Sequence, residues 1–127
     1  MLYTKLMLRH AISFKHAFAG IWTAVTTQLN LRIHFAIGSA VLVLAVLLKI
    51  DFDHILDLLL TIMIVMTAEM VNTSLEFMSD AITLERNPYI KAAKDVSAGA
   101  VLISAIFAVL VGLIVFIPKI MSFTYKL

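Results

Sequence analysis

The sequence predicts an all-α membrane protein with an N-terminal amphipathic surface helix followed by three transmembrane helices. Of its 127 residues, 62% are hydrophobic and only 14% are charged, and the mean hydropathy is +1.04. A soluble domain of this size is much less apolar. Three segments are also long enough to cross a hydrocarbon core, which takes about 20 residues at about 1.5 Å each. We therefore expect residues 1–127 to form a single membrane domain.

The first predicted element, residues 5–30, has a helical period and two unlike faces. At about 100° per residue, Ala11, Phe14, Phe18, Ile21, Trp22, Val25 and Leu29 fall on one side, and Arg9, Ser13, His16, Thr23, Thr26 and Thr27 fall on the other. This pattern is typical of a helix lying in the membrane interface. Because threonines outnumber charges on the polar face, that face suits contact with protein or with a bound ligand, and the alternative is a simple surface anchor.

The three predicted transmembrane helices are residues 33–50, 55–78 and 97–117, and we expect Pro118 to end the last of them. Seven lysines and arginines lie before the first span or between the second and third, and three lie on the other side. By the positive-inside rule, the N-terminus and the loop of residues 79–96 are expected in the cytoplasm.

Composition also limits the classes of partner. The chain has no cysteine, so it has neither a disulfide nor a thiolate metal site. The formal net charge is only +2. Since there is no basic run with interleaved aromatics, we expect no nucleic-acid partner. The bilayer and its lipids are the expected surroundings.

A polar stripe interrupts the second apolar segment, in the stretch "EMVNTSLEFMSD". On a helix, Glu69, Asn72, Glu76 and Asp80 share one face about 80° wide over three turns. A carboxylate inside a membrane is costly unless it faces a protein interior or a wet cavity, so it is by default a functional group. The alternative is polar contact between helices, with Asn72 and Thr73 bonding a neighbour.

Another pair of charges, Lys94 and Asp95, comes just before the third span. Together with the stripe it predicts a pocket containing carboxylates, an amide and an ammonium group. Phosphoryl transfer needs oxygen ligands for Mg²⁺, a cation beside the phosphates and a group that accepts the acceptor's proton. Glu76, Asn72, Lys94 and Glu69 are residues of these types. A Walker loop and a Gly-rich kinase loop are both missing, so a nucleotide site would be built in another way.

The stripe and a second segment resemble a known signature. The pattern Glu-x-x-Asn-Ser/Thr-Ser/Ala-x-Glu-x-x-x-Asp at residues 69–80, followed by "AKDVSAGAVLISA" at 93–105, is similar to that of the small prokaryotic lipid kinases, which include diacylglycerol kinase and undecaprenol kinase. The resemblance in layout covers nearly the whole chain. It implies a homotrimer in a bacterial cell membrane, with active sites shared between subunits and open to the cytoplasm. It also implies that ATP and Mg²⁺ are used to phosphorylate a lipid alcohol.

The resemblance implies a role for each matching residue. Glu69 is the expected general base and, with Trp22, contacts the lipid, while Glu76 is the expected metal ligand. The expected nucleotide contacts are Arg9, Asn72, Glu76, Glu85, Asn87, Lys94 and Asp95. The segment "LERNP" around Glu85 and Asn87 departs from the tyrosine and histidine usual in the family.

A second departure concerns the metal. The family has Glu-x-Asn-x-Arg/Lys-x-His before the first span, and this chain has "QLNLRIH", so Gln28 replaces the second metal-binding carboxylate. An amide oxygen can still ligate Mg²⁺ but lacks the charge that a hard cation prefers. Weaker metal binding, a substitute carboxylate and lost activity are all open at this point.

The lipid substrate is expected to be undecaprenol, because "GLIVFIPKI" and "NLRIH" resemble the undecaprenol kinase branch. Diacylglycerol is the alternative substrate. From another functional class, the chain could be a small proton-coupled transporter with Glu69 as its carrier group, or a non-catalytic membrane assembly protein. A transporter would need neither Mg²⁺ nor the Lys94 and Asp95 pair.

Overall fold

Four α-helices make up the part of the chain that this computed structural model describes, namely the backbone of residues 2–124 and the side chains of residues 14–122. The helices are α1 (Leu2–Thr27), α2 (Leu29–Leu47), α3 (Phe52–Ile82) and α4 (Pro88–Thr124). Helices α2, α3 and α4 are each long and apolar enough to cross a membrane. The predicted all-α fold with three membrane spans is thereby confirmed.

A single residue separates α1 from α2. Gln28 has an extended backbone, with φ −103° and ψ 113°, yet its N–H donates to the carbonyl of Ala24 at 2.8 Å. Helix α1 therefore ends three residues before the predicted limit of residue 30, and α2 begins at Leu29 rather than at residue 33. Hydropathy locates the apolar part of a span, and it leaves out the polar first turn that contains Asn30 and Arg32.

The turn between α2 and α3 is a Schellman motif. The N–H of Ile50 donates to the carbonyl of Ala45, and that of Lys49 to the carbonyl of Val46, both at 3.0 Å. Lys49 has a positive φ of 53°, a conformation usually taken by glycine. Its carbonyl accepts a bond from the ammonium of Lys119 on α4, at 2.8 Å, so this turn is tied to the far end of α4.

The loop between α3 and α4 covers only residues 83–87, far fewer than the predicted 79–96. Asn87 caps α4, because its side-chain oxygen accepts the backbone N–H groups of Tyr89 at 2.9 Å and Ile90 at 3.3 Å. Pro88 takes the first helical position, where a missing N–H has no cost. Lys91 and Asp95 form an ion pair one turn apart, which supports helix in the charged segment.

The expectation that Pro118 ends the last helix is wrong, since α4 continues to Thr124. A proline removes one N–H and therefore frees one carbonyl, that of residue 114. In apolar surroundings the remaining backbone groups still have to bond within the helix. The helix therefore tolerates one missing bond in its last turns.

Helix α3 is central and packs along both α2 and α4. The apolar core of Ala45, Ile50, Leu58 and Val115 lies near the α2–α3 turn, away from the polar stripe. Large apolar side chains such as Phe35, Leu60 and Ile114 are exposed on the single chain. A surface of this kind suits contact with lipid or with other membrane helices.

Candidate functional site

The polar residues of α3 lie on one face, and their burial decreases toward the α3–α4 loop. Glu69 is 2% exposed and Asn72 is 8% exposed, Glu76 is half-buried, and Asp80 is exposed. This gradient follows the order of depth that the sequence predicts. The deepest carboxylate is therefore shielded from solvent within a helix that is apolar enough to span a membrane.

Glu69 faces a histidine from the neighbouring helix. His34 Nε2 on α2 lies 3.3 Å from Glu69 Oε1, and the two side chains are 27% and 3% exposed. A buried carboxylate costs several kcal/mol when it has no partner, so this contact is important to the site. His34 has no role of its own among the sequence-based predictions, although it stands in the "QLNLRIH" segment.

Asn72 links α4 to Glu76. Its side-chain oxygen accepts the hydroxyl of Ser97 at 2.7 Å, and its amide nitrogen donates to Glu76 Oε1 at 3.1 Å. The predicted polar contact between helices is therefore present at Asn72. Thr73 behaves differently, because its buried hydroxyl has no hydrogen-bond partner within the described part of the chain. Ser97 was missed as a site residue, since one serine at a helix start carries no distinctive signal.

The charged residues of α4 pair in a way that the sequence does not reveal. Lys94 bonds to Asp80 at the end of α3, and Asp95 bonds to Lys91 one turn earlier on α4. The predicted neighbours Lys94 and Asp95 thus take different partners. Asp80 and Lys94 together hold the ends of α3 and α4 side by side.

An open cavity of about 690 Å³, lined mostly by polar and charged residues, lies beside this ion pair at the α3–α4 loop. Four predicted nucleotide contacts line it, namely Glu85, Asn87, Lys94 and Asp95. The side-chain oxygen of Asn87 is already used in capping α4, which leaves its amide group for other contacts. The loop and the first turns of α4 therefore bring together four residues that are up to ten positions apart in the chain.

Three predicted site residues belong to α1 or its junction. Gln28 is half-buried at the start of α2, and its side chain makes no capping bond there. Trp22 is 71% exposed. Arg9 lies outside the residues whose side chains the structure describes. The roles of Arg9, Gln28 and Trp22 stay predictions.

The three threonines on the polar face of α1 form hydrogen bonds within the helix. The hydroxyls of Thr23, Thr26 and Thr27 each donate to a carbonyl of the preceding turn, at 2.8–2.9 Å. Their polar groups therefore cost little when α1 rests on an apolar surface.

The oxygen atoms near Asn72 fit a magnesium ion that takes most of its ligands from phosphate and water and few from the protein. Within the described side chains, no three His, Asp or Glu residues come together as a metal site. Mg²⁺ in kinases usually takes one or two protein carboxylates and completes its shell with phosphate oxygens and water. Glu76 has one carboxylate oxygen bonded by Asn72, so the other oxygen can serve as a ligand of this kind.

Comparison with known proteins shows clear similarity over most of the chain. Residues 15–116 match the family model described as prokaryotic diacylglycerol kinase. The chain is 37% identical over 107 residues to undecaprenol kinase of Bacillus subtilis, covering 84% of this chain and 87% of that protein. It is 41% identical over 112 residues to diacylglycerol kinase of Synechocystis, covering 87% of this chain and 64%, less than two thirds, of that protein. The candidate site from Trp22 to Ser97 lies inside the matched residues.

Proposed function

Because the chain belongs to the prokaryotic diacylglycerol kinase family, we propose that it transfers the γ-phosphoryl group of ATP to undecaprenol, a long polyprenyl alcohol. Lipid kinase activity follows from membership of this family and from the two relatives, which are named undecaprenol kinase and diacylglycerol kinase. A transporter or a non-catalytic assembly protein is no longer needed to explain the buried carboxylate.

One observation carries the proposal on the site: Glu69 is 2% exposed, and its carboxylate lies 3.3 Å from His34. Asn72 and Glu76 follow one and two turns further along the same face of α3. A lipid hydroxyl can approach Glu69 at this depth while a nucleotide approaches from the end of α3 that carries Asp80. The site is therefore accessible both to an apolar substrate and to a highly charged one.

Glu69 is the proposed general base. It accepts the proton of the lipid hydroxyl while the hydroxyl oxygen attacks the γ-phosphorus of ATP. A new P–O bond forms to the lipid, the bond between the β- and γ-phosphates breaks, and ADP leaves with that electron pair. His34 Nε2–H donates a hydrogen bond to the Glu69 carboxylate and so holds it in place.

The nucleotide is proposed to lie in the cavity at the α3–α4 loop. The ammonium of Lys94 supplies positive charge for the phosphates, and Glu85, Asn87 and Asp95 supply polar contacts. Glu76, and Gln28 if it reaches the ion, would hold Mg²⁺. When bound, the metal neutralises charge on the phosphates.

The structure near His34 favours undecaprenol as acceptor. A cavity of about 400 Å³ between α2, α3 and α4 has His34 in its wall, and its other lining residues are apolar except for Thr61. The Thr61 hydroxyl is already bonded to the carbonyl of Asp57 at 2.6 Å. A prenyl chain needs no polar partner here, but the ester carbonyls of diacylglycerol would lose bonds to water without replacement.

Diacylglycerol is the second candidate acceptor, because the Synechocystis diacylglycerol kinase is 41% identical over the aligned residues. The match to the undecaprenol kinase covers 87% of that relative, and the match to the diacylglycerol kinase covers 64%. The larger matched share of the undecaprenol kinase supports undecaprenol as the first choice.

A homotrimer with shared sites, oriented with its N-terminus in the cytoplasm, is part of the proposal. An open groove of about 950 Å³ between α3 and α4 is almost wholly apolar, yet it includes Asn72 and Ser97 in its wall. A neighbouring subunit covering this groove would exclude water from the site. The distribution of lysine and arginine supports the cytoplasmic placement of the N-terminus.

The proposal is tested with purified protein in mixed micelles, using labelled ATP and either undecaprenol or dioleoylglycerol. Each acceptor is assayed with Mg²⁺ and with EDTA, and the Glu69→Gln variant serves as the control for contaminating kinases. We expect Mg²⁺-dependent labelling of undecaprenol to be at least several-fold faster than that of dioleoylglycerol. Faster labelling of dioleoylglycerol would reverse the choice of substrate, and labelling of neither would contradict the proposal.

A further inference from the structure

We propose that Ser97 is a positioning residue that sets the orientation of the Asn72 amide and, through it, of the Glu76 carboxylate. The inference deepens the proposed function, since it assigns a task in that site to a residue for which the sequence predicts none. Ser97 is 7% exposed and Asn72 is 8% exposed. Both side chains are thus shielded from the water that would otherwise supply alternative bonds.

The number of available protons limits how the Asn72 amide can be oriented. An asparagine side chain has an oxygen that only accepts and a nitrogen that only donates, whereas a serine hydroxyl has one proton and can also accept. Glu76, as a carboxylate, only accepts, so the group of Asn72 that lies 3.1 Å from Glu76 Oε1 has to be the nitrogen. The side-chain oxygen of Asn72 then points toward α4.

Ser97 is the group that meets this oxygen. Its hydroxyl lies 2.7 Å from Asn72 Oδ1 and 2.9 Å from the carbonyl of Lys94. With the proton directed to Asn72, the contacts from Ser97 to Asn72 and from Asn72 to Glu76 are both donor to acceptor. If the amide were flipped, its oxygen would face the Glu76 carboxylate, and two acceptors would lie in contact.

Removing the hydroxyl should therefore loosen the amide. Without a donor at position 97, the oxygen of Asn72 loses a buried hydrogen bond in the observed orientation. The free-energy difference that disfavours the flipped orientation therefore becomes smaller. Glu76 would then lose its bond from Asn72 for part of the time. A hydrogen bond of this kind contributes roughly 0.5–1.5 kcal/mol. We therefore expect a change of about two- to tenfold in the Mg²⁺ concentration for half-maximal rate, which depends on Glu76.

Side-chain amide signals test the orientation directly. The chain has three asparagines, Asn30, Asn72 and Asn87, so selective ¹⁵N-asparagine labelling of the whole protein in micelles gives three NH₂ pairs. Asn72→Gln identifies the pair of Asn72. In Ser97→Ala we expect that pair to shift and its hydrogen exchange to accelerate, while the other two pairs keep their positions. An unchanged Asn72 pair in a folded Ser97→Ala variant would overturn the inference.

The matched control is Ser104→Ala, the same substitution two turns further along α4. The Ser104 hydroxyl bonds the carbonyl of Ala100 in its own helix. Ser104→Ala should leave the Asn72 signals at their parent positions. Ser97→Thr keeps a hydroxyl and should also leave them close to those positions. Equal effects of the two alanine variants would show that Ser97 acts only through general packing and would also overturn the inference.

Kinetics supply the second readout. We expect Ser97→Ala to raise the Mg²⁺ concentration for half-maximal rate by two- to tenfold, with a smaller change in the maximal rate. The same substitution made in an Asn72→Ala background should have almost no further effect. A full effect in that background would contradict action through Asn72. If the parent phosphorylates no lipid, the proposed function fails, but the amide signals still decide the role of Ser97.

Discussion

His34 on α2 and Glu69 on α3 are in contact, with Nε2 of the histidine 3.3 Å from Oε1 of the carboxylate. The two residues are 35 positions apart in the sequence, and α2–α3 packing brings them together. Since Glu69 is almost fully buried, His34 is the polar group that holds the proposed base. The contact makes α2 part of the proposed catalytic site as well as a candidate membrane span.

The first prediction concerns this pair. His34→Leu, which is similar in size but cannot donate, should lower turnover about 10- to 100-fold, because a hydrogen bond to a charged group contributes about 1.5–3 kcal/mol. His54→Leu is the control, since His54 also contacts a carboxylate, Asp57 at 3.5 Å, but both side chains are more than half exposed. Equal turnover of the two variants would contradict a role for His34 in holding Glu69.

Glu69→Gln should lower turnover by about 10² or more, which is the usual contribution of a general base. The amide keeps the size of the side chain and can still bond His34, so nucleotide binding should be largely unchanged. Single-turnover labelling of undecaprenol measures the first quantity, and the fluorescence of a bound nucleotide analogue measures the second. Near-normal turnover would remove Glu69 from the proposed role.

Glu76→Gln should act mainly through the metal. The substitution removes a charged oxygen that Mg²⁺ prefers, and part of the lost rate should return when Mg²⁺ is raised to saturation. Rates measured over a wide range of Mg²⁺ concentration test this. A loss that is the same at every Mg²⁺ concentration would mean that Glu76 is not a ligand.

Gln28→Glu introduces the carboxylate that the resemblance implies at this position. If Gln28 faces the metal, the variant should need less Mg²⁺ for half-maximal rate. Without Mg²⁺ the added charge lies in a partly buried place, so the variant should be less stable than the parent and gain more from Mg²⁺ with nucleotide. Thermal unfolding with and without both ligands measures this. An unchanged metal dependence would place Gln28 away from the ion.

The last prediction concerns the spacing of α2 and α3. A Cβ added at Gly38 would lie 3.0 Å from Ile62 Cγ2, whereas one added at Gly20 meets nothing within 4 Å. Gly20→Ala should therefore gain up to about 1 kcal/mol of helix stability, and Gly38→Ala should lose this gain and reduce turnover by displacing His34. Ile62→Ala should relieve the defect of Gly38→Ala. Thermal unfolding and turnover of the double variant are the measurements, and the absence of any relief would contradict this explanation.

Periodicity and hydropathy predict much of this molecule. The three spans are visible as apolar segments, and the shared face of Glu69, Asn72 and Glu76 follows from helical geometry alone. The limits of the helices are less predictable. The first turn of α2 is polar and helical. Helix α4 includes both the charged residues near Lys94 and the proline at position 118.

Contacts between helices are the part that the sequence did not reveal. Lys94 has Asp95 as its chain neighbour but bonds Asp80 on α3, because adjacent residues on a helix point in different directions. Ser97 and Asn72 bond only because α3 and α4 pack at a particular rotation about their axes. Helical period fixes which residues share a face, but it does not fix which face of the next helix lies opposite.

The junction at Gln28 also restricts how the length of this chain can vary. Helical hydrogen bonds continue into and out of it, from Gln28 to Ala24 and from Arg32 to Gln28, so the connection has no slack. Inserting or deleting one residue here would rotate α1 by about 100° about its own axis and turn Phe14, Phe18 and Trp22 to a new direction. A side chain at the junction can be exchanged without moving α1, but the number of residues in the junction is coupled to the placement of that whole helix.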